Sequence, residues 1–500
     1  MPTATNAAYA TRAGDRALAQ LAHDEAAAYY RSALELLDAA GERAGGPERL
    51  RLLIALGQAQ RRAGDPDYRE TLLTAAGLAR EQGNTAALAE AALANTRAIL
   101  YSVVGAVDHE RVAVLEQALA ATADATDSPI RARLLATLGL ELTWGSRRRR
   151  LELSGEALEL ARRLGDPATL AEVLQARFYA CATPDTRAER LANTAELLAL
   201  ADQLGDDAAR SRALALRFRV AMESADVAEA DRCLEANQRL TADLGQPTLR
   251  WFVDLQRAGR SLLAGRLEEA ERLAHDALEL GQSSGQPEAL GFFVWQQAAI
   301  RFEQGRLGEV LDPIRQAAAD HPRASTAKSV LARAYAELDR TDEARAVYEE
   351  LAASEFTDLP VDPGWLRTLT HCATVCAYLG DAARAAALYR LLAPYPDQLS
   401  VSQIGVLASS SVQHYLGLLA TTMGRFDDAE ARFAAAATTH QRIQAPTWLA
   451  RTRLEWARTL LVRRQAGDVE RARELLGQAI ATARELGLGT VERRAVALLH

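Results

Sequence analysis

Three arginines and a glutamine recur at one position of a 40-residue period. They are Arg177, Arg217, Arg257 and Gln297. Guanidinium groups bind carboxylates and phosphates through charge-assisted, often bidentate, hydrogen bonds, so a column of them would suit an acidic peptide or a phosphate group. The alternative is structural, with the arginine stems packed between helices and their heads paired with neighbouring carboxylates.

Aromatic residues are scarce in the chain but concentrate over residues 251–302. They are Trp251, Phe252, Phe292, Phe293, Trp295 and Phe302. Such a cluster can line a groove for a small ligand. Phe292, Trp295 and Phe302 also follow helical spacing, which indicates one stripe and ordinary core packing. We predict Trp251 and Trp295 as partner contacts and keep core packing as the alternative.

His371, Cys372 and Cys376 place three possible metal ligands within two helical turns. A structural zinc site normally has a fourth ligand and more closely spaced cysteines. A buried, unliganded cysteine pair is therefore favoured, and no metal site is predicted.

Arg147 to Arg150 form a run of like charge that could contact phosphates. Glu152 and Glu156 follow at helical spacing, which favours a solvated helix start. The net charge of −8 also disfavours a general nucleic-acid binder. We predict no direct contact with nucleic acid.

Motifs for catalysis and cofactor binding are absent from the sequence. His109-Glu110 lacks the second histidine of a zinc-protease helix, and Lys328, the only lysine, follows no glycine-rich turn that could cradle a phosphate. We predict no catalytic residue, no cofactor and no enzymatic activity, although a site assembled from distant repeats stays open.

Turns recur at a fixed period and define the architecture. Glycine just past a helix end supplies a left-handed cap, and a following proline suits the first turn of the next helix. Turns of this kind recur every 40 residues, at Leu164-Gly165-Asp166-Pro167, Leu204-Gly205-Asp206-Asp207, Leu244-Gly245-Gln246-Pro247 and Ser284-Gly285-Gln286-Pro287. Abundant Ala and Leu favour helix. The sequence predicts an all-α chain of roughly eleven or twelve stacked helix pairs.

A second set of residues resembles the tetratricopeptide repeat. Its pattern of a helix glycine, a turn glycine, alanines and an aromatic is matched by Leu416-Gly417, Gly424, Ala429, Phe433 and Ala436. The resemblance implies a right-handed superhelical solenoid of antiparallel helix pairs. It also implies that the first helix of each pair lines a concave face that binds a protein or peptide.

Proline-rich interruptions suggest how the chain is organised. They fall at residues 123–129, 354–365 and 394–397. We predict a seam near residue 355, which separates an N-terminal solenoid (1–355) from C-terminal repeats (356–500) that could be continuous with it. The first residues lack a basic region followed by an apolar core, and no membrane span or disulfide framework is evident, which predicts a cytoplasmic protein.

The whole chain also resembles the C-terminal helical arm of LuxR-type ATP-binding transcription regulators and of cyclase-coupled bacterial ATPases. The residues behind this are Asp108 to Val112, Ala161 to Pro167, Pro184 to Thr186, Gln246-Pro247 with Arg250-Trp251, Leu379 to Asp381, and Trp448 to Arg451. The resemblance implies a non-catalytic sensor or interaction arm whose partner is an ATPase, a cyclase, a DNA-binding regulator or a small effector. A freestanding scaffold adaptor is the alternative.

Overall fold

The structure is a computed structural model that describes residues 2–20, 22–39, 46–96, 106–123, 127–402 and 404–500. Helices dominate the described chain, with one short two-stranded sheet, so the predicted all-α repeat fold is confirmed. The chain forms two compact units. The first comprises Met1–Cys181 with Ser283–Pro287, and the second comprises Ala182–Gln282 with Glu288–His500. Among the described helices, none combines the length and apolar character that a membrane span requires.

The first unit is a stack of consecutive helices around a core that includes Tyr30, Leu50 and Leu134. Its helices are α1 (Pro2–Ala19), α2 (His23–Ala39), α3 (Pro47–Ala63), α4 (Tyr68–Glu81), α5 (Thr85–Ala94), α6 (His109–Ala121), α7 (Pro129–Glu141), α8 (Arg147–Leu164) and α9 (Pro167–Ala180).

The second unit continues the helical pattern and adds a β-hairpin. Its elements are α10 (Arg187–Leu204), α11 (Asp207–Glu223), α12 (Val227–Leu244), α13 (Pro247–Leu263), α14 (Leu267–Ser283), α15 (Ala289–Gln304), α16 (Leu311–Asp320), α17 (Ser325–Glu337), α18 (Thr341–Leu351), α19 (Trp365–Leu379), α20 (Ala382–Leu392), β1 (Leu399–Val401), β2 (Ala408–Ser411), α21 (Val412–Thr422), α22 (Phe426–Arg442), α23 (Pro446–Arg463), α24 (Asp468–Leu486) and α25 (Gly489–Leu499). Short 3₁₀ turns precede α10 and α16.

The 40-residue turns are helix ends of the predicted kind. Gly165, Gly205 and Gly245 lie just past α8, α10 and α12 with φ values of 67°, 63° and 63°, a left-handed conformation that glycine adopts without a Cβ clash. The carboxylates of Asp166 and Asp206 then accept hydrogen bonds from the first-turn amides of α9 and α11. One local signal therefore ends one helix and starts the next.

The tetratricopeptide pattern describes how α21 packs on α22. Ala429, Phe433 and Ala436 on α22 have no exposed surface. A Cβ placed on Gly417 of α21 would lie 2.7 Å from the Phe433 ring, well inside a normal contact. The motif is thus a steric fit in which the small residue admits the aromatic ring.

We expect Gly417→Ala to destabilise the protein by a net ~1 kcal/mol. Alanine gains up to ~1 kcal/mol of helix propensity over glycine, but overpacking a close contact costs about 1–3 kcal/mol. The matched control is Gly477→Ala on α24, where the new Cβ would meet no atom within 4 Å beyond its own stretch of helix, so stability should rise. Urea denaturation of the two variants measures the difference, and equal shifts would contradict the packing argument.

Two of the predicted interruptions are non-helical, and the third is only partly described. Residues 352–364 link α18 to α19 without helix, and 394–397 lead into the hairpin, whose strands were not predicted from the sequence. In the segment 123–129, residues 124–126 lie outside the described part. Residue 355 falls inside the second unit, and the boundary placed there stays a prediction.

The second unit brings together residues far apart in sequence. Arg187 pairs with Asp397 at 2.6 Å, Arg442 donates to the carbonyl of Ala225 at 2.8 Å, and Arg451 pairs with Glu303 at 3.0 Å. A stack in which each repeat touches only its neighbours makes no such contacts. Helices α10–α15 of this unit are therefore tied directly to its later segments, from Asp397 to Arg451.

Candidate binding groove

The hairpin turn, of which residues 402 and 404–407 are described, packs against the first helices of two repeats in the second unit. Gln256 on α13 donates from Nε2 to the carbonyl of Ile404 at 3.0 Å, and Gln296 on α15 donates to the carbonyl of Val406 at 3.4 Å. Gly259 on α13 provides room for the Val406 backbone. Residues 404–407 of the turn are buried, so the hairpin fills part of the face that the repeat pattern would leave open.

A groove lies beside this hairpin, within the second unit. It holds about 650 Å³ of space free of protein atoms, part of which is open to solvent. Its walls come from α13, α15, α16 with the 3₁₀ turn before it, α17, α19, the hairpin and α23. The side chains that define its chemistry are Trp295, Phe302, Arg333, Arg367, Thr447 and Trp448.

Two arginines in this groove have no carboxylate partner among the described residues. Arg333 on α17 lies over the ring of Phe302, 3.7 Å from its centroid, and contacts Nε2 of His371 at 3.3 Å. Arg367 on α19 contacts Ser409 Oγ at 3.5 Å, the limit of a hydrogen bond. Both cations are thus held by neutral groups.

Burial and mutual repulsion act on these groups together. Desolvation, with the charge of Arg333, lowers the pKa of Arg367 to about 10, and desolvation also lowers the pKa of Arg333. Desolvation and both arginines hold the pKa of His371 well below its usual value. His371 is therefore neutral near pH 7. Because arginine only donates, His371 Nε2 accepts from Arg333, and Nδ1–H donates to Ser329 Oγ at 3.0 Å.

The arginines of a neighbouring ion-pair network, unlike Arg333 and Arg367, are paired with carboxylates. Arg451 on α23 pairs with Glu303 at 3.0 Å and with Glu337 at 3.5 Å, and Glu337 also pairs with Arg494 at 3.3 Å. Arg451 lies 3.9 Å from the Phe302 centroid. Guanidinium groups thus stack near this ring, and the carboxylates lie on the Arg451 side.

The predicted arginine column lies on first helices, as expected, but its members have local partners. Arg177 on α9 donates to Ser154 Oγ at 3.0 Å in the first unit. In the second unit, Arg217 pairs with Glu229 and Arg257 with Asp254, each at 2.9 Å. Gln297 on α15 is buried. This arrangement matches the structural alternative, and a role in partner binding stays a prediction.

The two predicted tryptophan contacts have different environments. Trp251 is 0% exposed and packs edge-on against Phe252 and Phe292, so it contributes to the core and offers no surface to a partner. Trp295 is partly exposed and lines the groove. The aromatic cluster therefore divides between a packing role and a groove wall.

The remaining candidates, the arginine run at residues 147–150 and the cysteines of α19, have environments typical of structural residues. Arg150 is buried and donates to the Ala180 carbonyl at 2.8 Å, while Arg148 stays in solvent. Cys372 and Cys376 are free thiols, and burial raises the pKa of Cys376 to about 12. Neither cysteine lines the groove, whereas the adjacent His371 does.

Arg333, Arg367, Thr447 and Trp448 line the groove but were not predicted as site residues. Arg333 and Arg367 are 34 residues apart on the first helices of successive pairs, which is the usual tetratricopeptide spacing. That spacing was the one available signal, and it was hidden by the 40-residue period of the preceding repeats.

Comparison with known proteins bears on the segment that forms much of the groove. A family model, the bacterial transcriptional activator domain, matches residues 288–372, which include Trp295, Arg333 and Arg367. No curated protein matches the sequence. The Cut9–Hcn1 hetero-tetramer of the APC/C is 13% identical, with 98% of this chain and 96% of that chain covered and a TM-score of 0.43. Yeast Tom70 is 14% identical to this chain, with 90% of this chain and 96% of that chain covered and a TM-score of 0.34.

The helices and turns described above define an all-α repeat protein of the tetratricopeptide-like class. Within it, residues 288–372 are similar to the bacterial transcriptional activator domain.

Proposed function

We propose that this chain is a non-catalytic sensor and interaction arm of a bacterial transcription or signalling regulator, and that it binds an effector or partner in the groove of the second unit. The observation that carries the proposal is the pair of groove arginines without carboxylate partners. Desolvated cations are normally paired, so a site that leaves two of them to neutral groups is suited to an incoming anion.

Two further observations support this assignment. The similarity to the bacterial transcriptional activator domain covers the segment that carries both arginines. The histidine in the groove has both ring nitrogens engaged, by Ser329 and Arg333, and its lowered pKa makes it a weak proton acceptor. That environment favours recognition over acid–base catalysis.

The protein partner in this proposal is an ATPase, a cyclase or a DNA-binding regulator that is present in the cytoplasm. We propose no direct contact with nucleic acid or membrane, because the chain is acidic overall. The test is affinity purification of the tagged full chain from the bacterium that encodes it, followed by mass spectrometry. Enrichment of such a regulator is expected, and enrichment of none would favour the scaffold adaptor.

The arginine column gives a sharper version of the same experiment. Arg217 and Arg257 are 21% and 31% exposed, so their guanidinium groups are accessible despite their ion pairs. We expect Arg217→Glu with Arg257→Glu to reduce recovery of the partner about tenfold, because like charges that face each other across an interface are repulsive.

The matched control places the same reversals on second helices. Arg239 on α12 and Arg272 on α14 are exposed, and Arg239→Glu with Arg272→Glu should leave recovery unchanged. Circular dichroism of both double variants checks that the helices remain. If the two double variants recover equal amounts of partner, the column does not form the partner surface.

A further inference from the structure

We propose that the groove binds a small organic monoanion with an apolar, preferably aromatic, body. Arg333 and Arg367 receive the anionic group, and Trp295 and Trp448 contact the body. This inference rests on the proposed function, since it names the chemical class of the effector.

The charge balance around the groove is the first argument. Arg333, Arg367, Arg451 and Arg494 lie in or beside it, with Glu303 and Glu337 as the acidic partners. Four cations less two carboxylates leave an excess of two positive charges. His371 is neutral, and burial raises the pKa of Tyr415 further above neutrality, so neither group compensates the excess.

The position of the excess charge is the second argument. Both carboxylates pair with Arg451, and neither lies within ion-pair distance of Arg333 or Arg367. Each guanidinium carries five N–H donors, of which the contacts with His371 and Ser409 use few. Two partly exposed guanidinium groups in one groove can therefore bind the two oxygens of a carboxylate.

An orphaned hydroxyl supplies an independent observation. Thr447 lines the groove, is 1% exposed, and its Oγ1 has no hydrogen-bond partner among the described residues. A buried hydroxyl without a partner costs free energy, which a ligand acceptor would recover. Thr447 adjoins Trp448, so this donor lies where the aromatic wall begins.

The remaining walls select the rest of the ligand. Leu262, Leu407 and the two tryptophans make the groove largely apolar, as in sites for small organic molecules. Glu303 also lines the groove, although Arg451 holds it, and its charge opposes a second anionic group. The combination favours one negative charge on a hydrophobic body over inorganic phosphate or a polyanion.

Calorimetric titration tests the ligand class. The probes are aromatic monocarboxylates from benzoate to 2-naphthoate, each paired with its neutral amide, and inorganic phosphate at the same ionic strength. We expect at least one carboxylate to bind the full chain about tenfold or more tightly than its amide, because a charge-assisted hydrogen bond is lost in the amide. Phosphate should bind more weakly than that carboxylate.

Variants locate the binding in the groove. Arg333→Gln and Arg367→Gln should each weaken carboxylate binding about tenfold, by the same loss of a charge-assisted contact. The control is Arg301→Gln on α15, because Arg301 pairs with Glu271 at 2.6 Å and is not part of the groove wall. Absence of carboxylate binding, equal affinity for acid and amide, or unchanged affinity in both groove variants would each overturn the proposal.

Thermal unfolding without ligand provides a second readout. Arg367→Met keeps the apolar stem and removes a desolvated, unpaired charge, so it should raise the Tm by about 2–4 °C while it weakens binding. A lower Tm would mean that Arg367 stabilises the fold and is not held ready for an anion. The partner purification is independent of these measurements. If a regulator is recovered but no carboxylate binds, the proposed interaction arm is supported and only the proposed ligand class is wrong.

Discussion

Glu223→Gln is expected to destabilise the protein by about 3–5 kcal/mol, the usual cost of leaving buried charges without their counter-ion. Glu223 on α11 is the counter-ion of two arginines that are almost completely buried. Arg190 Nη1 lies 2.6 Å from one carboxylate oxygen, and Arg219 Nε lies 2.9 Å from the other. The amide keeps the shape of the side chain but cannot neutralise either guanidinium.

Chemical denaturation of the wild type and the variant measures this effect. The matched control is Glu229→Gln on α12, because Glu229 also contacts two arginines, Arg217 and Arg232, but at a partly exposed site. Exposed ion pairs contribute only about 0–1 kcal/mol, so the control should be nearly neutral. Similar losses of stability in the two variants would show that burial does not increase the contribution of the Glu223 ion pairs.

The same residue gives stability a defined dependence on pH. Burial alone would raise the pKa of Glu223, but Arg190 and Arg219 outweigh burial and hold that pKa below its ordinary value. A depressed carboxyl pKa contributes stability that is present above the unfolded pKa and is lost as pH falls through the folded pKa. The Tm of the wild type should therefore fall on acidification below about pH 4.5, and Glu223→Gln should flatten this part of the profile.

The predictable parts of this molecule are those that depend on local sequence. A glycine past a helix end requires only its own backbone conformation, so Gly165, Gly205 and Gly245 could be placed without knowledge of the fold. The steric pair of Gly417 and Phe433 lies within one repeat and was equally accessible.

The groove was not predictable because its walls are distant in sequence. Trp295 on α15 and Trp448 on α23 are separated by several repeats, and they face one space only because α23 contacts α15, as the Arg451–Glu303 pair shows. The column of Arg217 and Arg257 shows the opposite limit. The period of the column was visible in the sequence. Its ion pairs were not, because the partner carboxylates, Glu229 and Asp254, occupy different positions in their repeats.

The β-hairpin approaches α13 most closely at Gly259, and Gly259→Ala should displace it. A Cβ at residue 259 would lie 2.6 Å from the carbonyl carbon of Val406 and closer still to its oxygen. These are backbone atoms, so no side-chain rotation relieves the clash. We expect the free energy of unfolding to fall by about 2 kcal/mol, because a clash with backbone atoms puts the overpacking cost at the upper end of about 1–3 kcal/mol, against the ~1 kcal/mol that alanine gains in helix propensity.

Hydrogen exchange followed by mass spectrometry measures the displacement. Peptides that cover 399–411 should exchange faster in Gly259→Ala, whereas Gly291→Ala on α15, with no atom within 4 Å of the new Cβ, should leave them unchanged. Because Leu407 and Ser409 form part of the groove wall, Gly259→Ala should also weaken carboxylate binding. Unchanged exchange over 399–411 would contradict the contact between α13 and the hairpin. Faster exchange with full binding would instead show that the arginines act without the hairpin wall.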